Sequence, residues 1–132
     1  MPSAPSDAFF RIGIDVVAVE RMDRLVTRHP RAVVRLFTER ERALFRGPFR
    51  LQRMAGIFAA KEAVWKCLGR GFRGMTFHDV EILRDGEGKP LPVLSGGAAE
   101  RARELGIQGL EVSITHEASL AMAQAIAWGG LS

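Results

Sequence analysis

A glutamate, Glu62, interrupts the apolar stripe of the most strongly helical stretch of this chain. Apolar residues recur there at steps of three and four, and Glu62 falls in the gap between Phe58 and Trp65. A carboxylate on a line of core-facing positions is costly unless it is paired with a positive charge or binds a cation. The pattern therefore indicates either an ion pair with Lys66, one turn further on, or a cation site.

Two other polar side chains, Asp15 and His116, stand near the ends of predicted strands. Asp15 lies near the end of the alternating stretch 9–17, where a lone aspartate is commonly a turn or cap residue. His116 holds an apolar-face position on a later strand, where a hydrogen-bonded core histidine is the common explanation. Ser113 and Thr115 crowd further polar groups around that strand end. Both Asp15 and His116 therefore stay open between a structural role and a place in a site.

Positive charge is concentrated in the first part of the chain. Residues 1–53 carry a balance of +5 and residues 54–132 a balance of −1, and 16 of the 19 basic residues are arginine. Arg21, Arg24 and Arg28 project from one face of a predicted helix. That face is either solvated or a docking surface for an acidic partner, such as a nucleic acid, a phosphorylated small molecule or an acidic protein.

The composition is that of one soluble domain. The chain has 132 residues, of which 47% are apolar and 26% charged, enough for a single core. Its one cysteine, Cys67, excludes a disulfide framework and a cysteine-based zinc site, which favours a reducing compartment. No apolar run has the length of a membrane helix, and the N-terminus lacks a signal-peptide centre. We therefore expect a cytoplasmic protein with a flexible lead-in over residues 1–8 and one domain over residues 9–130.

Periodicity, caps and turns predict an α+β domain with the element order β-α-α-α-α-β-β-α-β-β. Thr38 and Glu41 have the spacing of a capping box, which predicts a short helix through about Arg46. A longer helix follows and ends at Gly69, a residue typical of helix C-termini.

Two of the predicted strands have unlike faces. One face of the first strand is apolar and consists of Phe10, Ile12, Ile14 and Val16. Its other face carries Arg11, Gly13 and Asp15. On the last strand, one face is made only of alanine, at Ala121, Ala123, Ala125 and Ala127. Side chains this small suggest close packing against a helix or against another chain.

Four segments, taken together and in order, resemble the holo-acyl-carrier-protein synthases, which are small 4′-phosphopantetheinyl transferases. The segments are Gly13-Ile14-Asp15-Val16-Val17 with Glu20-Arg21 and Phe37-Thr38-Glu39-Arg40-Glu41, then Phe58-Ala59-Ala60-Lys61-Glu62-Ala63 with Lys66 and Gly69, then Gly88-Lys89-Pro90, and finally Val112-Ser113-Ile114-Thr115-His116-Glu117 with Ala121. The resemblance runs from about residue 11 to residue 128. It implies that family's fold, an antiparallel sheet packed against a long central helix.

The resemblance also implies a reaction, the transfer of the phosphopantetheine arm of coenzyme A to a serine of apo acyl carrier protein. The other product is adenosine 3′,5′-bisphosphate. Asp15 and Glu62 match the ligands of the family's Mg²⁺, which prefers one or two carboxylates completed by waters and substrate phosphates. Lys66 and His116 match positions that contact coenzyme A phosphates, so these acidic and basic residues form the expected catalytic set. The serine proton needs a base, which is either Glu62 or a water that it holds.

The expected coenzyme A site departs from the family pattern in two places. The family often has arginine where this chain has Ile57, and Gly-Thr-Gly or Gly-Ser-Gly where this chain has Gly69-Arg70-Gly71. We expect Arg70 or Arg53 to supply the missing charge. Ser113 and Thr115, beside His116, are the other expected contacts.

The resemblance gives the arginine face a partner, because acyl carrier proteins are acidic. Arg21, Arg24 and Arg28 are the expected docking face, and Arg21 is the best match to the family. The family's short members are usually homotrimers with active sites between subunits, so we expect the same assembly here.

Two alternatives lack catalysis. A basic domain that binds nucleic acid or an acidic protein would explain the arginines, but no aromatic stacking platform and no DNA or RNA motif accompanies them. A partner-binding module that retained only the fold would leave the acidic pair, Asp15 and Glu62, without a purpose. We therefore expect neither nucleic acid nor membrane among the partners. Whether the carrier protein serves fatty-acid or polyketide synthesis stays open at this point.

Overall fold

The helices and strands follow one another in the predicted order. The computed structural model describes residues 7–69 and 74–131. The strands are β1 (Phe9–Ala18), β2 (Val80–Arg84), β3 (Pro90–Leu94), β4 (Ile107–Glu117) and β5 (Leu120–Gly129). The helices are α1 (Val19–Arg28), α2 (Pro30–Leu36), α3 (Glu39–Arg42), α4 (Arg50–Leu68) and α5 (Gly96–Leu105), with a 3₁₀ turn at Phe77–Asp79. The prediction of an α+β domain is confirmed, although α3 ends at Arg42, earlier than predicted.

The main sheet has three antiparallel strands in the order β1-β5-β4, so the last strand of the chain lies in the middle. Asp15 of β1 pairs with Ala123 of β5, which pairs in turn with Ile114 of β4. The strands β2 and β3 form a separate hairpin. Within the described ranges, no helix is long and apolar enough to cross a membrane.

The helix α4 packs across one face of the main sheet, and small residues make this close approach possible. Ala121, Ala123 and Ala125 of β5 lie fully beneath it, which confirms that the alanine face packs against a helix. At Gly13 of β1 the backbones almost touch, since a Cβ atom there would lie 1.9 Å from the carbonyl oxygen of Ala63. A glycine is therefore required at the position where β1 crosses α4.

The prediction of a single apolar stripe on α4 is wrong. The helix is buried on nearly all sides from Met54 to Leu68, because the sheet covers one side while α1 and β2 cover others. Glu62, Trp65 and Lys66 are the more exposed residues of that span. Glu62 thus lies on the partly exposed side of α4, and the charged residue in the core is its neighbour, Lys61.

The opposite face of the sheet is apolar and exposed. On β1, Phe10, Ile12, Ile14 and Val16 retain 70%, 60%, 52% and 50% of their accessible surface. Leu120 and Met122 of β5 continue this outer sheet face. On β1 the apolar side chains therefore face outward, and the side that carries Arg11, Gly13 and Asp15 faces the helix. This is the reverse of the usual arrangement, in which the apolar side of a strand faces the core. An exposed apolar surface of this kind marks an interaction site.

Candidate active site

Lys66 connects the helix α4 to the strand β1. Its Nζ donates to the Oδ1 atom of Asp15 at 3.1 Å and to the carbonyl oxygen of Ile14 at 2.8 Å. The Asp15 side chain is only 18% exposed, whereas that of Lys66 is 52% exposed. Lys66 therefore pairs with Asp15 in place of Glu62, the partner that the helical spacing suggested.

Glu62 lies one turn before Lys66, and its carboxylate makes no hydrogen bond or salt bridge within residues 7–69 and 74–131. Burial raises the pKa of this carboxyl group, and the negative charge of Asp15 raises it further. The positive charges of Arg21 and Lys66 oppose that shift. The structure thus brings the two predicted acids, Asp15 and Glu62, into one partly buried space, where each feels the charge of the other.

Arg21 belongs to the surroundings of this acid pair. Its guanidinium carbon lies 5.1 Å from the centre of the Phe58 ring, one turn before Glu62 on α4. Because α1 begins directly after β1, its first turn lies beside the end of the strand that carries Asp15. Arg21 therefore lies close enough to the acid pair for its charge to act on Glu62, in addition to any role in docking a partner.

The other two arginines of α1 lie further from the acids. Arg24 forms a salt bridge with Glu20 at 3.1 Å, and both side chains are largely exposed. A shallow groove of about 220 Å³ is nevertheless lined by all three predicted docking residues, with Leu25 and His29 beside them. The predicted face is thus a continuous surface with Arg21 at its inner end.

His116 lies away from the acid pair. Its Nε2 atom is 3.0 Å from the carbonyl oxygen of Gln52, and its ring covers Gly56, where a Cβ atom would lie 2.7 Å from that nitrogen. Gln52 precedes Glu62 by ten residues, which is about 15 Å along the helix axis. Within one chain, the structure does not bring His116 to the acids that the sequence grouped with it.

Ser113 and Thr115 lie on the outer side of β4, and both are exposed. Ser113 lines a groove of about 470 Å³ together with Lys89 and Pro90 of the neighbouring hairpin. With Thr115 it also lines a smaller groove of about 140 Å³, next to Ile14. The two predicted coenzyme A contacts therefore open onto the side of the sheet opposite α4.

The remaining predicted contacts are near the two ends of α4. The Nη1 atom of Arg53 donates to the carbonyl oxygen of Arg46 at 2.7 Å. Gly69 ends the helix with a φ of +96°, as its identity predicts. Arg70 and Gly71 lie outside the described residues.

Comparison with known proteins identifies the family of this chain. Residues 11–124 match the model of the 4′-phosphopantetheinyl transferase superfamily. The chain belongs to this superfamily. A holo-[acyl-carrier-protein] synthase of Caldanaerobacter subterraneus is 42% identical over 122 residues, which cover 90% of this chain and 94% of that protein.

Two solved structures place the fold in the same superfamily. The holo-ACP synthase of Plasmodium yoelii has a TM-score of 0.80 and 31% identity, and the match covers 92% of this chain and 97% of that one. The Helicobacter pylori holo-[acyl-carrier-protein] synthase, solved in complex with coenzyme A, has a TM-score of 0.77 and 32% identity. That match covers 88% of this chain and 98% of the other.

One charged pair of this transferase chain escaped the sequence analysis. Lys61 and Glu41 are both fully buried, and the Lys61 Nζ atom lies 2.6 Å from the Oε1 atom of Glu41. The Glu41 carboxylate also accepts the backbone N–H groups of Thr38 and Ile82, each at 2.8 Å. Burial lowers the pKa of Lys61, while the Glu41 carboxylate raises it. The capping box predicted one of these contacts, the one between Glu41 and the backbone of Thr38. The other sequence feature that could have indicated the buried pair is a lysine, Lys61, directly after Ala59-Ala60.

The C-terminus of α4 is also held by two arginines that the sequence analysis did not single out. Arg11 donates from Nε to the carbonyl oxygen of Cys67, and Arg101 donates from Nε to that of Leu68 at 3.0 Å. These contacts satisfy carbonyl groups that a helix end leaves open and place positive charge at its negative pole. They fix the end of the helix that presents Lys66.

The Cys67 thiol is buried and poorly suited to act as a nucleophile. Burial raises its pKa to about 11, although the charge of Arg11 opposes the shift. The group is therefore protonated at neutral pH, and a thiol in that form is a poor nucleophile.

The acid pair has the donor set that Mg²⁺ uses. Among residues 7–69 and 74–131, no group of three or more His, Cys, Asp or Glu side chains is placed to hold a metal ion by itself. Mg²⁺ instead binds through one or two carboxylates and keeps waters or substrate phosphates as its other ligands. Asp15 and Glu62, partly buried and open to one side, fit that requirement.

Proposed function

We propose that this chain transfers the 4′-phosphopantetheine group of coenzyme A to a serine of apo acyl carrier protein, as a holo-[acyl-carrier-protein] synthase. The observation that carries the proposal is the convergence of Asp15, Glu62 and Lys66 between β1 and α4 in a chain of this superfamily. The serine oxygen forms a new bond to the phosphorus of the phosphopantetheine arm. The pyrophosphate bond to that phosphorus breaks, and adenosine 3′,5′-bisphosphate leaves.

The acid site would hold Mg²⁺ through Asp15 and Glu62. When bound, the ion would neutralise the negative charge that grows on the phosphoryl oxygens during transfer. Lys66 reaches the same space from α4. Its ammonium group would donate charge-assisted hydrogen bonds to a phosphate bound there. The serine proton passes to Glu62 or to a water that Glu62 holds.

One assay decides whether this reaction occurs. The protein is incubated with coenzyme A, Mg²⁺ and an apo acyl carrier protein, and the carrier is weighed by mass spectrometry. We expect a mass gain equal to one phosphopantetheine group, which disappears when EDTA removes the metal ion. No gain with apo carriers from both fatty-acid and polyketide synthesis would overturn the proposal.

Subunit contact through the outer sheet face explains two features of the structure. The face formed by Phe10, Ile12, Ile14 and Val16 is too apolar to be left in water, and His116 contacts α4 at Gln52 and Gly56, at least six residues or about 9 Å along the helix before Glu62. A homotrimer with active sites between subunits covers the face. It also lets the acids of one copy meet the polar residues of β4 in a second copy.

Ile12→Lys tests this assembly, because the side chain is 60% exposed and central on the outer sheet face. We expect the wild type to have the mass of a trimer by light scattering and the variant to have that of a monomer with unchanged helix content. Transfer activity should fall with the trimer. The control is Val34→Lys on α2, where the side chain is 48% exposed. A wild type that is monomeric at working concentration, or an Ile12→Lys protein that stays trimeric, contradicts the assembly.

The arginine face of α1 is proposed as the docking surface for the acidic carrier protein. Replacing Arg24 and Arg28 by glutamate should raise the apparent KM for carrier protein by about ten-fold or more, because charge of one sign steers an oppositely charged partner. The KM for coenzyme A should stay nearly constant, and the effect should shrink as salt is added. Arg21 is left unchanged because it lies beside Phe58 and the acid pair.

Arg103→Glu on α5 is the control for this docking prediction, since it also replaces an arginine by glutamate on another exposed helix surface, with half the charge change of the double variant. Equal increases in both Michaelis constants for the α1 variant would reject the docking surface.

We also place the protein in the cytoplasm, a location consistent with its single buried and unpaired cysteine.

A further inference from the structure

Lys66 neutralises one of the two carboxylates of the proposed metal site. Its ammonium group is bonded to Asp15 and to the carbonyl oxygen of Ile14, so two acceptors hold it at the end of β1. Glu62, one turn earlier on the same helix, has no such direct partner among the described residues. The local charge available to a cation is therefore smaller than two free carboxylates would give.

Mg²⁺ and Lys66 compete for Asp15. A carboxylate oxygen that accepts a hydrogen bond from an ammonium group has that lone pair engaged. A divalent ion on the same carboxylate also repels the ammonium charge at short range. The affinity of oxygen sites for such ions rises with the number of negative ligands, so displacement of Lys66 favours the ion.

Lys66 can leave Asp15 without disturbing the fold. Its side chain is 52% exposed, and the lysine stem is flexible. The C-terminus of α4, which carries this lysine, is held separately by Arg11 and Arg101. Under the proposed function a coenzyme A phosphate binds in the same space and offers the ammonium group a better acceptor than water.

From this competition we infer that Lys66 is an internal counter-ion that exchanges between Asp15 and a coenzyme A phosphate, which makes the binding of Mg²⁺ and coenzyme A cooperative. The inference rests on the proposed function and adds to it a role for Lys66 before the transfer step. When the phosphate takes the lysine, Asp15 becomes free for the ion. Because binding free energies are linked, each ligand strengthens the other by the same factor.

The test is a calorimetric titration of Mg²⁺ into the wild type and into Lys66→Met, with and without coenzyme A and always without carrier protein. In the absence of coenzyme A, we expect the variant to bind Mg²⁺ about five-fold or more tightly than the wild type does. Addition of coenzyme A should improve the affinity for Mg²⁺ by a larger factor in the wild type than in the variant. Lys66→Gln should change the affinity in the same direction.

Lys89→Met is the control, because Lys89 also pairs with a carboxylate, that of Glu111 at 2.9 Å, but on the exposed surface elsewhere. It should leave the affinity for Mg²⁺ unchanged in the absence of coenzyme A. Equal or weaker binding of Mg²⁺ by Lys66→Met would overturn the exchange. The outcome is separable from the proposed function. A wild type that transfers phosphopantetheine to carrier protein keeps the transferase assignment even if the exchange of Lys66 fails. A wild type that binds Mg²⁺ but modifies no carrier protein contradicts the transferase assignment itself.

Discussion

Glu62→Gln is expected to lower kcat for phosphopantetheine transfer by on the order of a thousand-fold. A bound divalent ion supplies several kcal/mol of charge stabilisation to a reaction of this type, and the amide is a poorer ligand for it. Asp15→Asn should cause a loss of the same order. Since both acids would serve one ion, the double variant should be little worse than either single variant. The measurement is a steady-state assay with apo carrier protein at fixed, saturating Mg²⁺.

The same Glu62→Gln variant should be at least as stable as the wild type when metal is absent. Burial and the charge of Asp15 raise the pKa of Glu62 above its ordinary value of 4.5, so the ionised carboxylate destabilises the folded state at neutral pH. The neutral amide removes that cost. The difference in the free energy of unfolding should vanish well below pH 4.5, grow as the pH rises above 4.5, and be complete above the raised folded-state pKa.

Glu100→Gln, a similar change on the exposed surface of α5, is the control for both readouts. Transfer by Glu62→Gln at more than a tenth of the wild-type rate would remove the metal-ligand assignment. A marked loss of stability would show instead that Glu62 holds the fold together.

Glu41→Gln is expected to lower the free energy of unfolding by about 3–5 kcal/mol, because it removes the carboxylate that is directly bonded to the buried Lys61 ammonium. Both side chains are completely shielded from water, so solvent cannot compensate. Lys61→Met should cost less. The Glu41 carboxylate would still accept the N–H groups of Thr38 and Ile82, whereas Lys61 has no second hydrogen bond within the described residues. Urea titrations at one protein concentration, with comparison of m-values, measure the change.

The control for this buried pair is Lys89→Met, which breaks the exposed salt bridge to Glu111 and should cost less than about 1 kcal/mol. The double variant Glu41→Gln, Lys61→Met tests the argument further. It removes both charges, so it should be more stable than Glu41→Gln alone. A cost below 1 kcal/mol for Glu41→Gln would mean that Lys61 is neutral in the folded protein.

Much of the fold was predictable from local chemistry. Pro30, the Thr38–Glu41 capping box and Gly106 each determine the conformation of their immediate neighbours, and each marks a helix boundary that the structure contains. Alternation identified the strands in the same way, and the alanine face of β5 indicated close packing. The proximity of Asp15 to Glu62 and Lys66 was predictable only through the resemblance, because no local pattern relates β1 to α4.

What the sequence did not predict depends on contacts between distant segments. The sequence predicted that one side of β1 is apolar, but it did not predict which side faces the core. That choice depends on Gly13, the position on β1 at which α4 can approach so closely. The burial of Lys61 depends on Glu41, twenty residues earlier, and a helical pattern carries no information about a partner on another element. The separation of His116 from the acids likewise follows from strand register and from Gly56.

The position of β5 in the centre of the main sheet has a consequence for the time course of folding. β1 is made before the other described helices and strands and cannot pair until β5, the last of them, has been synthesised. Closing such a long loop is slow, and intermediate states expose unpaired strand edges and the apolar side of β1. During synthesis β1 must therefore remain unpaired until the other described helices and strands, and finally β5, have been made.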